Sequence, residues 1–143
     1  MTERLSETTF RAWLGLNRAQ RLAMQSVETA LKQAGLPPLS WYDALVELEN
    51  AGEAGLRPSA LEKELMLPQY ALSRLVERIA IAGYLRRETL VNDRRGQKLY
   101  ITDSGRDLRR RMWPVYAGAV AEAFKGLPAA DTDALDALLR KIT

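Results

Sequence analysis

Residues 59–102 read SALEKELMLPQYALSRLVERIAIAGYLRRETLVNDRRGQKLYIT, and the order of periodicities within them decides the fold. Ser59-Ala60-Leu61-Glu62 has the S-x-x-E spacing of a capping box. It predicts a short helix over 59–66 with Leu61 and Leu65 facing inward. Pro68 then suits the first position of a further helix, where its missing N–H costs nothing. Over 68–82, Leu72, Leu75, Val76 and Ile79 recur at i, i+3, i+4 and i+7, which marks one buried face ending at Gly83. Beyond Gly83 the period changes. Residues 84–91 and 97–102 read as strands, the second with Leu99 and Ile101 alternating with Lys98, Tyr100 and Thr102. Asn92-Asp93-Arg94-Arg95-Gly96 between them is a hairpin tip. Two short helices, a tight turn and a hairpin make a winged helix-turn-helix.

The flanking sequence is helical. A first helix over 7–34 carries the stripe Met24, Val27, Leu31 and Ala34, with a separate apolar patch at Phe10, Trp13 and Leu14. The polar stretch 17–21 between them predicts a bend or an exposed section. A second helix is expected from Ser40, with Asp43 completing a box-like cap, to near Gly52; Trp41, Ala44, Leu45 and Leu48 share one face. After the hairpin, a helix over 103–125 aligns Leu108, Met112, Val115, Ala119 and Ala123, and Pro114 is expected to kink or break it. A last helix over 128–142 carries Leu135, Leu138, Leu139 and Ile142. The expected fold class is mainly α with a small β-hairpin wing. Residues 1–143 form a single domain: a winged helix-turn-helix over about 40–102, flanked by N- and C-terminal dimerisation helices over 1–35 and 103–143.

Composition narrows the chemistry. The 143 residues include neither Cys nor His. Disulfides, thiolate sites, imidazole bases and the commonest zinc ligand are therefore excluded, and no metal or cofactor is expected. The carboxylate pairs Glu47/Glu49 and Asp131/Asp133 sit at i, i+2 and do not share a helix face, and no Gly-rich phosphate loop follows a strand. An enzyme is not expected. No apolar run approaches the roughly 20 residues of a membrane span, and the N-terminus lacks an apolar signal core. The expected setting is the cytoplasm, with no membrane partner.

Charge points to the partner. Net charge is +3, but residues 57–111 hold 13 Lys and Arg against 7 Asp and Glu, a net of +6, leaving −3 for the rest. Such a basic segment is what phosphate neutralisation needs. Opposite its apolar stripe, the helix over 68–82 presents Gln69, Tyr70, Ser73, Arg74, Glu77 and Arg78. Gln pairs bidentately with adenine and Arg with guanine, while Ser and Tyr meet bases or phosphates. The DNA-binding candidates are Ser59, Gln69, Tyr70, Ser73, Arg74 and Arg78, with Arg94, Arg95 and Lys98 on the hairpin. Arginine on a hairpin tip reaches a minor groove, and Asp93 is placed to orient Arg95. A winged helix can instead serve as a protein-docking surface without specific DNA binding; the arginine tip and the basic segment favour double-stranded DNA.

These motifs resemble the MarR family of bacterial regulators, from about Leu31 to Leu139. Asp93-Arg94-Arg95 followed by Leu99-Tyr100-Ile101-Thr102-Asp103-Ser104-Gly105 resembles the family's D-x-R wing and L-T-x-x-G pattern, with Ile101 in place of Leu. Leu61-Glu62-Lys63-Glu64-Leu65 and Leu72-Ser73-Arg74-Leu75-Val76-Glu77-Arg78 resemble its helix-turn-helix, and Gly35-Leu36 through Leu45 its first helix junction. Two positions depart from the pattern: Met66 stands where the turn usually has Gly, and Leu67-Pro68 where the recognition helix usually opens with Ser or Asp. The resemblance implies a homodimer built from terminal helices, a pseudo-palindromic operator, and action usually as a repressor. In many members a small, often aromatic, anionic ligand enters between the dimerisation and DNA-binding parts and lowers DNA affinity. Candidate pocket residues for such an effector are Trp13, Met24, Trp41 and Tyr42, with Arg11, Arg18 or Arg21 to meet an anion.

Overall fold

The computed structural model describes residues 4–91 and 96–143. Helix α1 spans Glu7–Gln33, α2 Leu39–Ala51, α3 Pro58–Leu65 and α4 Gln69–Ile81. Strands β1 (Leu85–Thr89) and β2 (Gln97–Ile101) follow, then α5 (Asp103–Ala123) and α6 (Ala129–Arg140).

The core follows the apolar stripes. Leu72, Leu75, Val76 and Ile79 of α4 are all buried, beside Leu45 and Leu48 of α2, Leu61 of α3, and Leu108 and Met112 of α5. Each fully buried side chain of this size contributes about 1.5–3 kcal/mol. Val27 and Leu31 of α1 join this core, but Met24 and Ala34 of the expected stripe lie exposed. Leu65 is half-buried rather than enclosed.

Strands β1 and β2 pair antiparallel, with Leu85 opposite Ile101 and Arg87 opposite Leu99. Leu56 adds a third rung: its N–H and carbonyl both bond Leu99, at 2.9 and 2.8 Å. The 102–105 corner joins hairpin to α5. Thr102 Oγ1 accepts the Gly105 N–H at 3.1 Å and donates to the Gly83 carbonyl at 2.7 Å. A Cβ on Gly105 would lie 2.1 Å from the Tyr84 carbonyl oxygen, so this close approach requires glycine.

Helix starts differ from the sequence expectations. Helix α2 begins at Leu39, with Pro38 as N-cap, rather than at Ser40. The extended backbone of Pro38 places the Leu39 N–H against Glu28 Oε1 of α1, at 2.8 Å, so the cap comes from another helix. The Ser59–Glu62 box does not form. Pro58 occupies the first turn of α3 with Arg57 as N-cap, and Ser59 lies past the capping position. Pro68 is itself the N-cap of α4, so the helix starts one residue later than expected; its carbonyl accepts from Ala71 and Leu72 at 3.1 and 3.0 Å. Helix α5 runs through Pro114 without a break. Helix α1 is continuous across 17–21, and residues 18–21 lie exposed, which is the second of the two outcomes expected there.

Candidate nucleic-acid interface

Helix α4 has two faces of opposite character. With its apolar stripe buried, Gln69, Tyr70, Ser73, Arg74, Glu77 and Arg78 all lie exposed on the other side. Gln69, Tyr70, Ser73 and Arg74 belong to the first two turns. Ser59 is exposed on α3, in the helix packed before α4. The turn between the helices is made by Met66 in the left-handed conformation (φ 53°, ψ 39°). A left-handed non-glycine residue is uncommon and costs roughly 1–2 kcal/mol.

The wing is braced to this unit. Lys98 Nζ donates to the Ala54 carbonyl at 2.9 Å, and Lys98 is half-buried. Its ammonium therefore ties β2 to the short 3-10 turn Gly52–Ala54, a role that alternation along a strand does not reveal. Arg86 and Glu88 of β1 form an ion pair at 3.0 Å, and the Arg86 guanidinium stacks over Tyr100 at 4.2 Å. Such a contact contributes about 0.5–1 kcal/mol at an exposed site. Arg86 was not among the sequence candidates; its signal, a cross-strand cation–aromatic pair, needs the register. Asp93, Arg94 and Arg95 lie outside the described residues.

The whole arrangement matches known regulators. AbsC from Streptomyces coelicolor, a MarR family transcriptional regulator of solved structure, is 30% identical, with 99% of this chain and 95% of that chain covered and a TM-score of 0.83. The chain belongs to the MarR family. A family model described as MarR family matches residues 34–96. Sco3205, a MarR family regulator from the same organism solved in complex with DNA, is 27% identical over 99% of this chain and 89% of that one, with a TM-score of 0.87. The transcriptional repressor MprA of Escherichia coli K12 is 24% identical over 126 residues, 88% of this chain; the match spans 66% of MprA's own length.

Within this MarR-family chain the four pocket candidates do not converge. Trp13 and Met24 are exposed along α1. Trp41 is half-buried, edge-on to Tyr84 at 6.1 Å. Tyr42 is buried at 8% exposure and faces α5 instead, stacked on Trp113 at 6.2 Å and tilted against Tyr116 at 5.1 Å. Arg11, Arg18 and Arg21 are exposed on α1. Tyr42 alone of the four lines a cleft of about 270 Å³ between α2, the end of α3, and α5. Asp43, Glu47, Glu64 and Tyr116, which also line it, were missed, because they come from three separate helices. Burial pushes the Asp43 carboxyl above its usual range, and Glu28 and Glu47 add to the shift. Burial likewise raises Tyr116, with Asp43 contributing. Among the described residues no membrane-spanning helix and no metal-binding cluster of acidic residues occurs.

Proposed function

We infer that this MarR-family chain is a sequence-specific, double-stranded DNA-binding transcriptional regulator, a repressor that acts as a homodimer on a pseudo-palindromic operator. It works in the cytoplasm without catalytic activity. The observation that carries the reading is the division of α4: one face locked in the core, the other exposing Gln69, Tyr70, Ser73, Arg74 and Arg78 inside the basic segment. A helix in this position enters the major groove with its N-terminal residues at base edges. Gln69 and Arg74 read bases; Ser59, Tyr70, Ser73 and Arg78 meet bases or backbone. Arg94 and Arg95 reach the minor groove, with Asp93 orienting Arg95. Lys98 holds the wing at its angle. Residues of about 40–102 constitute the DNA-binding part, and 1–35 with 103–143 the dimerisation part.

Dimerisation is supported by uncovered apolar surface. Helix α6 has no buried residue; Leu138 is 57% exposed, and Ile142, just past the helix end, 71%. Phe10, Trp13 and Leu14 of α1, Val120 of α5 and Phe124 at its C-cap are exposed as well. A monomer rarely leaves so much apolar surface in water. A two-fold dimer also presents two α4 helices to half-sites about 34–36 Å apart. A small aromatic effector lowers DNA affinity by binding preferentially to the dimer spacing that does not fit DNA.

Selection from a pool of random duplexes at two salt concentrations tests this reading. Enrichment of a two-fold-symmetric site with steep salt dependence is expected. Weak binding with no enrichment at low salt would replace it with the protein-docking alternative.

A further inference from the structure

The effector's charge can be read from the cleft between α2, α3 and α5, on the reading above that the chain is an effector-responsive DNA-binding regulator. The cleft holds about 270 Å³. That is just under the range of about 300–1,000 Å³ typical of drug-sized ligands, so it suits a one-ring or fused two-ring molecule. One wall is aromatic. Tyr42 and Tyr116 line it, and Trp113 packs behind them, stacked on Tyr42 and edge-on to Tyr116 at 5.9 Å. Leu65 adds an apolar side. The charged lining consists of Asp43, Glu47 and Glu64. Among the described residues none of these three has a hydrogen bond or ion pair, whereas two other carboxylates of α1 and α2 are engaged: Glu28 caps α2, and Glu49 holds Arg109. Arg109 also reaches Tyr42, but it is already committed to Glu49.

Three unpaired carboxylates around a half-enclosed aromatic cleft give it a negative potential. Burial is the main cause of the upward shifts of Asp43 and Tyr116, and neighbouring negative charge adds to both, from Glu28 and Glu47 at Asp43 and from Asp43 at Tyr116. An anion would meet like charge from α2, which carries Asp43 and Glu47, and from α3, which carries Glu64. An organic cation would meet compensating carboxylates and aromatic faces together, the combination that recognises quaternary ammonium groups.

We propose that this cleft binds a small aromatic cation, with Tyr42 and Tyr116 against the ring or ammonium and Asp43, Glu47 and Glu64 supplying the countercharge. The cleft touches both α3 of the helix-turn-helix and the long helix α5, so an occupant there bears on the spacing of the two parts. This inverts the charge expected from the family resemblance.

The test uses the full chain and two probes of similar size and opposite charge, benzyltrimethylammonium and benzoate. Calorimetry gives their affinities; fluorescence anisotropy of an operator selected as above gives DNA release. The ammonium is expected to bind at least about tenfold more tightly than benzoate and to release DNA. Asp43→Asn and Glu47→Gln should each weaken ammonium binding by roughly three- to tenfold, the scale of one screened charge in a part-buried site, while leaving or improving benzoate binding. Glu64 is exposed, so Glu64→Gln keeps the comparison informative if an inner substitution unfolds the chain. Benzoate binding as tightly as the ammonium, or neutralised variants that bind the ammonium like the parent, would overturn the proposal. A parent that binds no operator defeats the regulator reading instead, and calorimetry still decides the cleft's charge preference.

Discussion

Helices α4 and α6 carry apolar stripes of nearly the same spacing and meet opposite fates. In α4, Leu72, Leu75, Val76 and Ile79 are buried by α2, α3 and the hairpin. In α6, Leu135 and Leu139 are only half-covered, and Leu138, with Ile142 just past the helix end, stands in solvent. Periodicity states that a face needs cover; it does not state which chain supplies it. For α4 the short connections on either side bring the cover within reach. For α6, which lies at the end of the long α5, the cover is assigned to a second copy.

The largest expected effect tests the α4 side. Ile79→Ala leaves a cavity in a fully enclosed site and should cost about 2–5 kcal/mol, measured by denaturant unfolding at two protein concentrations. A loss well under about 2 kcal/mol would mean that the α4 core is not enclosed within the chain. On the α6 side, Leu138→Glu should leave the fold intact, yield a solution mass near 16.1 kDa, and lower operator affinity by about a hundredfold, since two linked half-sites gain roughly 10²–10⁴ over one. A variant that stays dimeric would show that the exposed α6 face is not the interface.

What the residues disclosed in advance follows the same division. The α4 stripe and its exposed face were legible because each is local, a period of 3.6; Thr102 and Gly105 stood out only within the L-T-x-x-G resemblance, and their cap and close approach came from the structure. The starts of α2 and α3 were not. Ser40 and Ser59 have the right chemistry for caps, but Pro38 and Pro58 set the backbone one or two residues earlier, and the donor at Leu39 is met by Glu28, eleven positions away. The brace from Lys98 to Ala54 spans 44 positions, and the cleft draws its carboxylates from α2 and α3. Such pairings depend on packing that no local pattern encodes.

The exposed face of α4 admits a middle-sized test. Arg74→Ala should change preference at one base pair by roughly 1–3 kcal/mol. Lys98→Ala, which removes a brace, should weaken all sequences alike without lowering the salt slope, because no phosphate contact is lost. Binding of both variants to a set of single-base operator changes, each at several salt concentrations, separates the two. A uniform loss for Arg74→Ala would remove it from base reading; a salt slope lowered by about one for Lys98→Ala would return that side chain to the DNA backbone.

The smallest effect concerns the turn that carries α4 into place. Met66 holds a left-handed conformation while its side chain is 89% exposed, so little packing offsets the strain. Replacing it with glycine relieves roughly 1–2 kcal/mol of backbone strain. The same change loosens the unfolded chain, which costs about 0.5–1 kcal/mol. The balance favours Met66→Gly by about 0.5–1 kcal/mol, read as a higher urea midpoint with an unchanged slope. The exposed α6 leucines behave differently, because removing one relieves no strain and only loses an interface. If Met66→Gly instead lowers the midpoint, the methionine side chain is packing against the neighbouring cleft wall, and its exposure in the single chain is covered, like that of α6, by the second copy.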